Sequence, residues 1–149
     1  MDFEAIKKLV FLFNLCPLLS FLWALPTMRI ISWNVNGIRA AQKKGFLEWL
    51  QNESPDVLCV QETKAHPEQL DASLKSPNGY HVSFHSAERK GYSGVATFSK
   101  QKPISVKNGF GVPRFDAEGR VLVSEFPAFT ILNIYFPNGK NGSERLQYK

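Results

Sequence analysis

"IISWNVNGIRA", residues 30–40, carries an apolar run straight into two asparagines and a glycine. A strand that only needs to end does so with any turn residue. Two amide side chains at the mouth of a buried strand point to something polar being held there. Residues 28–33 have the length and composition of a strand. From residue 37 to 51 the apolar positions Ile38, Ala41, Phe46, Trp49 and Leu50 recur mostly at threes and fours, which predicts one amphipathic helix running through Gly45. Ser54-Pro55-Asp56 breaks it, and residues 57–61 read as a second buried strand, completing a β-α-β unit. If the two strands are parallel, their C-terminal ends share one edge of the sheet, where open α/β sheets place ligands. The first ends at Asn34 and the second at Glu62, so an amide oxygen and a carboxylate converge on one spot.

The chain has 149 residues, 44% hydrophobic and 21% charged. That balance fits one globular domain and excludes a disordered or collagenous chain. Formal charge is +5. Asp2 and Glu4 offset Lys7 and Lys8 in the first 27 residues, so the excess sits on residues 28–149, where a basic surface attracts a polyanion such as nucleic acid. Cys16 and Cys59 have no CxxC or Cys/His spacing, which supports neither a zinc site nor a disulfide framework. Cys59, inside Val57-Leu58-Cys59-Val60, reads as a buried, reduced thiol of a cytoplasmic protein.

Residues 9–25 are nearly all apolar, about the length of a signal-peptide core. Asn14, Pro17 and Ser20 interrupt the run, and no small-x-small cleavage site follows Trp23-Ala24-Leu25. The expectation is that translation starts naturally at Met28, that residues 1–27 are a hydrophobic extension outside the fold, and that there is no stable membrane association. Beyond Glu62, residues 67–74 predict one or two helical turns. Residues 80–85, 94–99, 104–107, 120–126 and 129–136 predict short strands that extend the same sheet antiparallel. Ser143 reads as the N-cap of a final helix.

Taken together, "SWNVNG", "VQETK", "GYSGVATFSK", "FDAEGRV" and "IYFPNG" resemble the exodeoxyribonuclease III family of AP endonucleases, within the endonuclease/exonuclease/phosphatase superfamily. The resemblance covers residues 28–149 and corresponds to the N-terminal half of such an enzyme. It implies an α/β fold, half of a four-layered α/β/β/α sandwich of the DNase I type, with one mixed sheet and helices on one face. The implied activity is Mg²⁺-dependent hydrolysis of the phosphodiester at abasic sites, with 3′–5′ exonuclease trimming, in base-excision repair. Mn²⁺ is the alternative ion, and double-stranded DNA with abasic sites is the implied partner.

Residue by residue, Glu62 resembles the family's metal-binding glutamate, which suits a hard cation that prefers oxygen ligands. A solvated strand-end glutamate is its ordinary alternative. Asn34 resembles the asparagine that supports the active site and the metal beside it. Asn36 reaches the metal through water on this reading, or simply supplies turn chemistry. Tyr135 resembles the active-site tyrosine, whose phenol offers one strong donor to a phosphate oxygen. Lys64, Tyr92, Arg120 and Asn138 match positions that contact DNA, where backbone recognition needs cations and hydroxyls; Arg145 is a weaker match. His66, His81 and His85 offer no metal geometry, and the sequons at Asn52 and Asn141 matter only on export.

The resemblance also implies a Gly-Asp-x-Asn and a Ser-Asp-His motif from the family's second half, and this chain has no Asp after Asp116 and no His after His85. The expectation is a truncated, inactive form whose bare sheet face seeks a partner, a second chain carrying the missing half among them. Two other classes compete: a phosphatase or phosphodiesterase acting on inositol phosphates or sphingomyelin, and a non-catalytic DNA-binding fragment.

Overall fold

The computed structural model describes residues 28–136 and the backbone of one strand before them, β1 (Leu9–Leu12). β2 (Arg29–Asn34) and β3 (Val57–Gln61) run parallel, with Asn34 opposite Gln61. The single helix expected between them is two, α1 (Ile38–Lys43) and α2 (Phe46–Glu53). Gly45 takes φ 91°, the left-handed conformation that ends a helix, and its N–H closes on the Gln42 carbonyl. The chain restarts in a new direction, and this brings Phe46 and Leu50 into the core with Ile31, Ile38, Leu58, Val60 and Phe98. Trp33 and Trp49 meet edge to face at 4.6 Å on its rim.

A 3₁₀ turn (Pro67–Gln69) and α3 (Ala72–Lys75) lead to β4 (His81–His85) and β5 (Val95–Ser99). These complete a five-stranded mixed sheet in the order β1-β2-β3-β5-β4. Every residue of β3 and β5 is buried, because both faces of these central strands are covered. Helices cover Leu58, Val60, Ala96 and Phe98.

The opposite face is covered from within the chain. β6 (Ser105–Asn108), α4 (Pro113–Asp116), β7 (Val121–Glu125) and β8 (Thr130–Ile134) follow, and β6-β7-β8 form a separate antiparallel sheet. The expected extension of the first sheet therefore stops at β4. Alternation tells which residues share a face, not which sheet a strand joins; here Leu122 and Asn133 are buried in the second sheet, opposite the inner face of β3 and β5. Beside this contact lies a groove of about 440 Å³ lined in part by Ile30, Ser32, Cys59, Leu132 and Phe136.

One strand of the N-terminal extension is described. Leu9–Leu12 pairs antiparallel with β2, Leu9 opposite Ser32 and Leu12 opposite Arg29. β2 is otherwise an edge strand, and its unpaired N–H and C=O groups are a template for any extended segment. The rest of the extension lies outside the described residues. Among the described residues no helix is long and apolar enough to cross a membrane.

One close approach fixes how the second sheet meets the first. Gly119 has φ 58°, and a Cβ there would sit 2.4 Å from the Ser86 carbonyl carbon and 2.5 Å from the Ala87 nitrogen. Gly119→Ala is expected to destabilise the chain by ~2–4 kcal/mol, combining left-handed strain with overpacking against backbone. A urea midpoint equal to that of the unaltered chain would contradict it.

Candidate active site

Three loops are sewn together at the C-terminal ends of β2 and β3. The Val35 N–H donates to the Gln61 carbonyl (3.1 Å), Gly37 N–H to Glu62 (2.7 Å) and Ile38 N–H to Thr63 (3.0 Å). From the other side, Thr63 and Lys64 N–H donate to the Gly94 and Ser93 carbonyls at 3.1 and 2.8 Å. Asn36, Glu62, Lys64 and Ser93 all take positive φ, between 47° and 55°. Left-handed backbone at non-glycine residues costs ~1–3 kcal/mol each and gathers where surrounding structure imposes it, often at functional sites.

Glu62 is the centre of this edge. Its Oε1 accepts hydrogen bonds from Asn34 Nδ2 at 2.7 Å and from the Tyr135 hydroxyl at 2.6 Å. Its Oε2 lies 2.9 Å from Lys64 Nζ, which also donates to Asn36 Oδ1. The Asn34 Oδ1 accepts from the Asn36 N–H at 3.0 Å, which fixes the orientation of the Asn34 amide. The chain thus brings Asn34, Asn36, Glu62, Lys64 and Tyr135 to one point, Tyr135 arriving from the end of β8 in the second sheet.

Partial burial raises the Glu62 pKa, but hydrogen bonds from Asn34, Tyr135 and Lys64, with the Lys64 charge, outweigh it and hold the carboxyl below its ordinary value. Burial and the adjacent carboxylate push the Tyr135 phenol up to about 12, against the opposing Arg120 charge, so it remains a proton donor at neutral pH. A carboxylate depressed on folding adds stability above its unfolded pKa and loses it as pH falls through the folded value. Urea midpoints are therefore expected to fall as pH drops below about 4.3, and to fall less steeply in Glu62→Gln. Parallel profiles for the two proteins would remove the basis for this charge-held cluster.

Arg120 and Tyr92, matched above to DNA-contacting positions, stand together beside Tyr135. The Arg120 side chain is only 7% exposed. Its Nε donates to Glu118 at 2.6 Å, Nη2 to the Tyr92 hydroxyl at 3.0 Å and Nη1 to the Tyr135 carbonyl at 3.3 Å, and the guanidinium stacks 4.7 Å from the Tyr135 ring centroid. Glu118, two residues earlier, neutralises the cation and draws it inward, so Arg120 buttresses Tyr135 from behind. Among the described residues Lys64, about one-third exposed, is a cation that this edge presents outward. Asn138, Arg145 and the helix expected from Ser143 lie outside the described residues. His66 caps the 3₁₀ turn, and His85 Nδ1 pairs with the Val121 carbonyl at 2.7 Å.

The donor set fits Mg²⁺. Among the described residues no three His, Cys, Asp or Glu side chains cluster. Mg²⁺ asks for less: one or two carboxylates, with water and substrate phosphate completing the octahedron. The Lys64 ammonium bridges Glu62 Oε2 and Asn36 Oδ1, which shows that this pair of oxygens already holds a positive charge. Two residues not anticipated from the sequence, Gln61 and Asn133, form a buried amide pair beneath the site, Gln61 Nε2 donating to Asn133 Oδ1 at 2.8 Å.

Residues 31–147 match the model of the Endonuclease/Exonuclease/phosphatase family. The chain is 46% identical over 123 residues to an exodeoxyribonuclease of Bacillus subtilis, covering 82% of this chain and 48% of the relative. It is 43% identical over 124 residues to the DNA repair nuclease APEX1 of Danio rerio, covering 82% of this chain and 40% of that one. Its fold superposes on an AP endonuclease from Archaeoglobus fulgidus with a TM-score of 0.70 at 34% identity, over 81% of this chain and 46% of the other. The chain spans about half the length of the relatives it matches, or less. With a match over most of its length, and with Asn34, Glu62 and Tyr135 meeting at one sheet edge, the chain belongs to the Endonuclease/Exonuclease/phosphatase family.

Proposed function

We propose that this chain forms the metal- and phosphate-binding half of a DNA-repair nuclease that hydrolyses the phosphodiester at abasic sites and trims 3′ ends. The observation that carries the reading is the shared Glu62 Oε1, accepting from both Asn34 and Tyr135 while Lys64 faces the other oxygen. Glu62 and Asn36 would hold Mg²⁺, or Mn²⁺ in its place, with Asn34 fixing the carboxylate. The ion supplies charge stabilisation at the phosphoryl oxygens and the leaving 3′ oxygen. Tyr135 donates a hydrogen bond to a phosphate oxygen once a substrate competes for it, and Arg120 holds the ring in place from behind. Lys64 meets the DNA backbone, a contact that positions without reading sequence.

The relatives named for abasic-site and exonuclease chemistry support DNA over inositol phosphates or sphingomyelin as the substrate class. The test is electron paramagnetic resonance titration with Mn²⁺, followed by gel shift of abasic and intact duplexes. We expect Mn²⁺ bound in wild type and lost in Glu62→Gln, with duplex retained in both. Release of phosphate from inositol phosphates without duplex retention would overturn the reading.

Cytoplasmic location, and the placing of residues 1–27 outside the working domain, belong to the same proposal. Burial pushes the Cys59 thiol up to about 12, keeping it protonated and unreactive, as suits a reducing compartment. A chain beginning at Met28 keeps every site residue and loses only the β1 pairing among described contacts. It is expected to bind Mn²⁺ as the full chain does, and neither form is expected to sediment with lipid vesicles. Vesicle binding by the full chain, abolished in the shorter one, would show that the extension is an anchor.

A further inference from the structure

Tyr135 reaches Glu62 from a different sheet, so their contact depends on where β8 stands against β3. Among the described residues β8 is the outer strand of its sheet and pairs there with β7 alone. Its ladder sets its register to β7 and says nothing of its height on the first sheet. Apolar contacts between sheets are non-directional and tolerate sliding. Directional contacts do not, and β8 carries one residue that makes several. Asn133, 1% exposed, donates through Nδ2 to the Ala96 carbonyl at 2.9 Å and the Val60 carbonyl at 3.2 Å, and accepts through Oδ1 from Gln61 Nε2 at 2.8 Å. Gln61 Nε2 also reaches Ser32 Oγ at 3.1 Å and the Cys59 carbonyl at 3.2 Å, so β2, β3, β5 and β8 meet at one buried amide pair.

The placement of this pair along the chain matters. Gln61 immediately precedes Glu62, and Asn133 stands two residues before Tyr135, on the same side of its strand. We propose that Asn133 and Gln61 are positioning residues: their buried amide pair locks β8 against β3 at the height that puts the Tyr135 hydroxyl on Glu62. A slide of the second sheet along the first by one residue's rise would carry Tyr135 ~3.3 Å while leaving the β7–β8 ladder intact. That is more than the 2.6 Å bond to Glu62 tolerates. The inference rests on the reading of Glu62 and Tyr135 as the active pair, and its test observes their contact directly, without metal, DNA or turnover.

The experiment is ¹³C NMR of the full 149-residue chain labelled at the tyrosine ζ carbon, at pH 7. Tyr135→Phe identifies the resonance, and Glu62→Gln gives its position when the carboxylate partner is lost. Asn133→Leu, which keeps the branched shape and removes both arms, is expected to produce most of the displacement seen in Glu62→Gln. Ser124→Ala, equally buried in the second sheet and with a hydroxyl that bonds neither Asn133 nor Gln61, is expected to leave the resonance where it is. A folded Asn133→Leu protein with the wild-type resonance would overturn the proposal. If that variant does not fold, Gln61→Met breaks the pair from the other strand, and a wild-type resonance there overturns it equally. A wild-type chain that shows the contact yet binds neither Mn²⁺ nor DNA would instead count against the proposed function and leave this inference standing.

Discussion

In a protein completed by the second half of a relative such as the Bacillus subtilis exodeoxyribonuclease, Glu62→Gln is expected to lower Mg²⁺-dependent incision of an abasic duplex by ~10²-fold or more, given that even outer partners of a metal site cost ~10–100-fold. The amide keeps the size of the side chain and one oxygen, so Asn34 still has an acceptor and the loops sewn around residue 62 keep their backbone bonds. What disappears is the negative charge, which a hard divalent ion requires and which Lys64 reports by sitting on it. Binding of duplex should change little, because backbone grip comes from cations such as Lys64. Incision within a few-fold of the parent at low Mg²⁺, measured on the same duplex, would mean that the metal is held elsewhere.

A polypeptide of these 149 residues alone is expected not to incise abasic DNA, although it should bind Mn²⁺. Hydrolysis needs a poised water and a group to orient or deprotonate it. Tyr135 is held protonated, with its pKa near 12, and Glu62 is committed to three donors, so neither is a base. No aspartate follows Asp116 and no histidine follows His85; the His85 Nδ1 is paired with the Val121 carbonyl. Absence of a general base typically costs ~10²–10⁴ in rate. Metal binding without cleavage is therefore the expected result, and adding the relative's second half as a separate chain should restore incision. A purified monomer that cuts a synthetic abasic duplex, free of host enzyme, would show that a residue of this chain serves as the base.

Much of the first sheet was legible in the sequence, and so was the meeting of Asn34 with Glu62. Apolar runs of strand length at residues 28–33 and 57–61, with a helical period between them, specify a β-α-β unit through local spacing alone. Parallel pairing then forces Asn34 and Glu62 to the same edge, and the structure finds them 2.7 Å apart. The helix was legible in its apolar face but not in its break, because Gly45 is tolerated in a straight helix and only the need to aim Phe46 at the core selects its left-handed turn.

Beyond residue 99, alternation identified the strands and left their partners open. β6, β7 and β8 form a sheet of their own because the inner face of β3 and β5 must be desolvated, a demand that no local pattern in residues 105–134 records. The same holds for side chains. Arg120 read as a surface cation, yet Glu118 and the Tyr92 and Tyr135 rings draw it inside. Asn133, a polar residue on the face of β8 shared with Tyr135, carried a signal in its parity, but its partners Gln61 and Val60 lie 72 and 73 residues away. Periodicity is a property of neighbours along the chain, whereas the satisfaction of a buried amide or cation is settled by whatever backbone the folded layers bring against it.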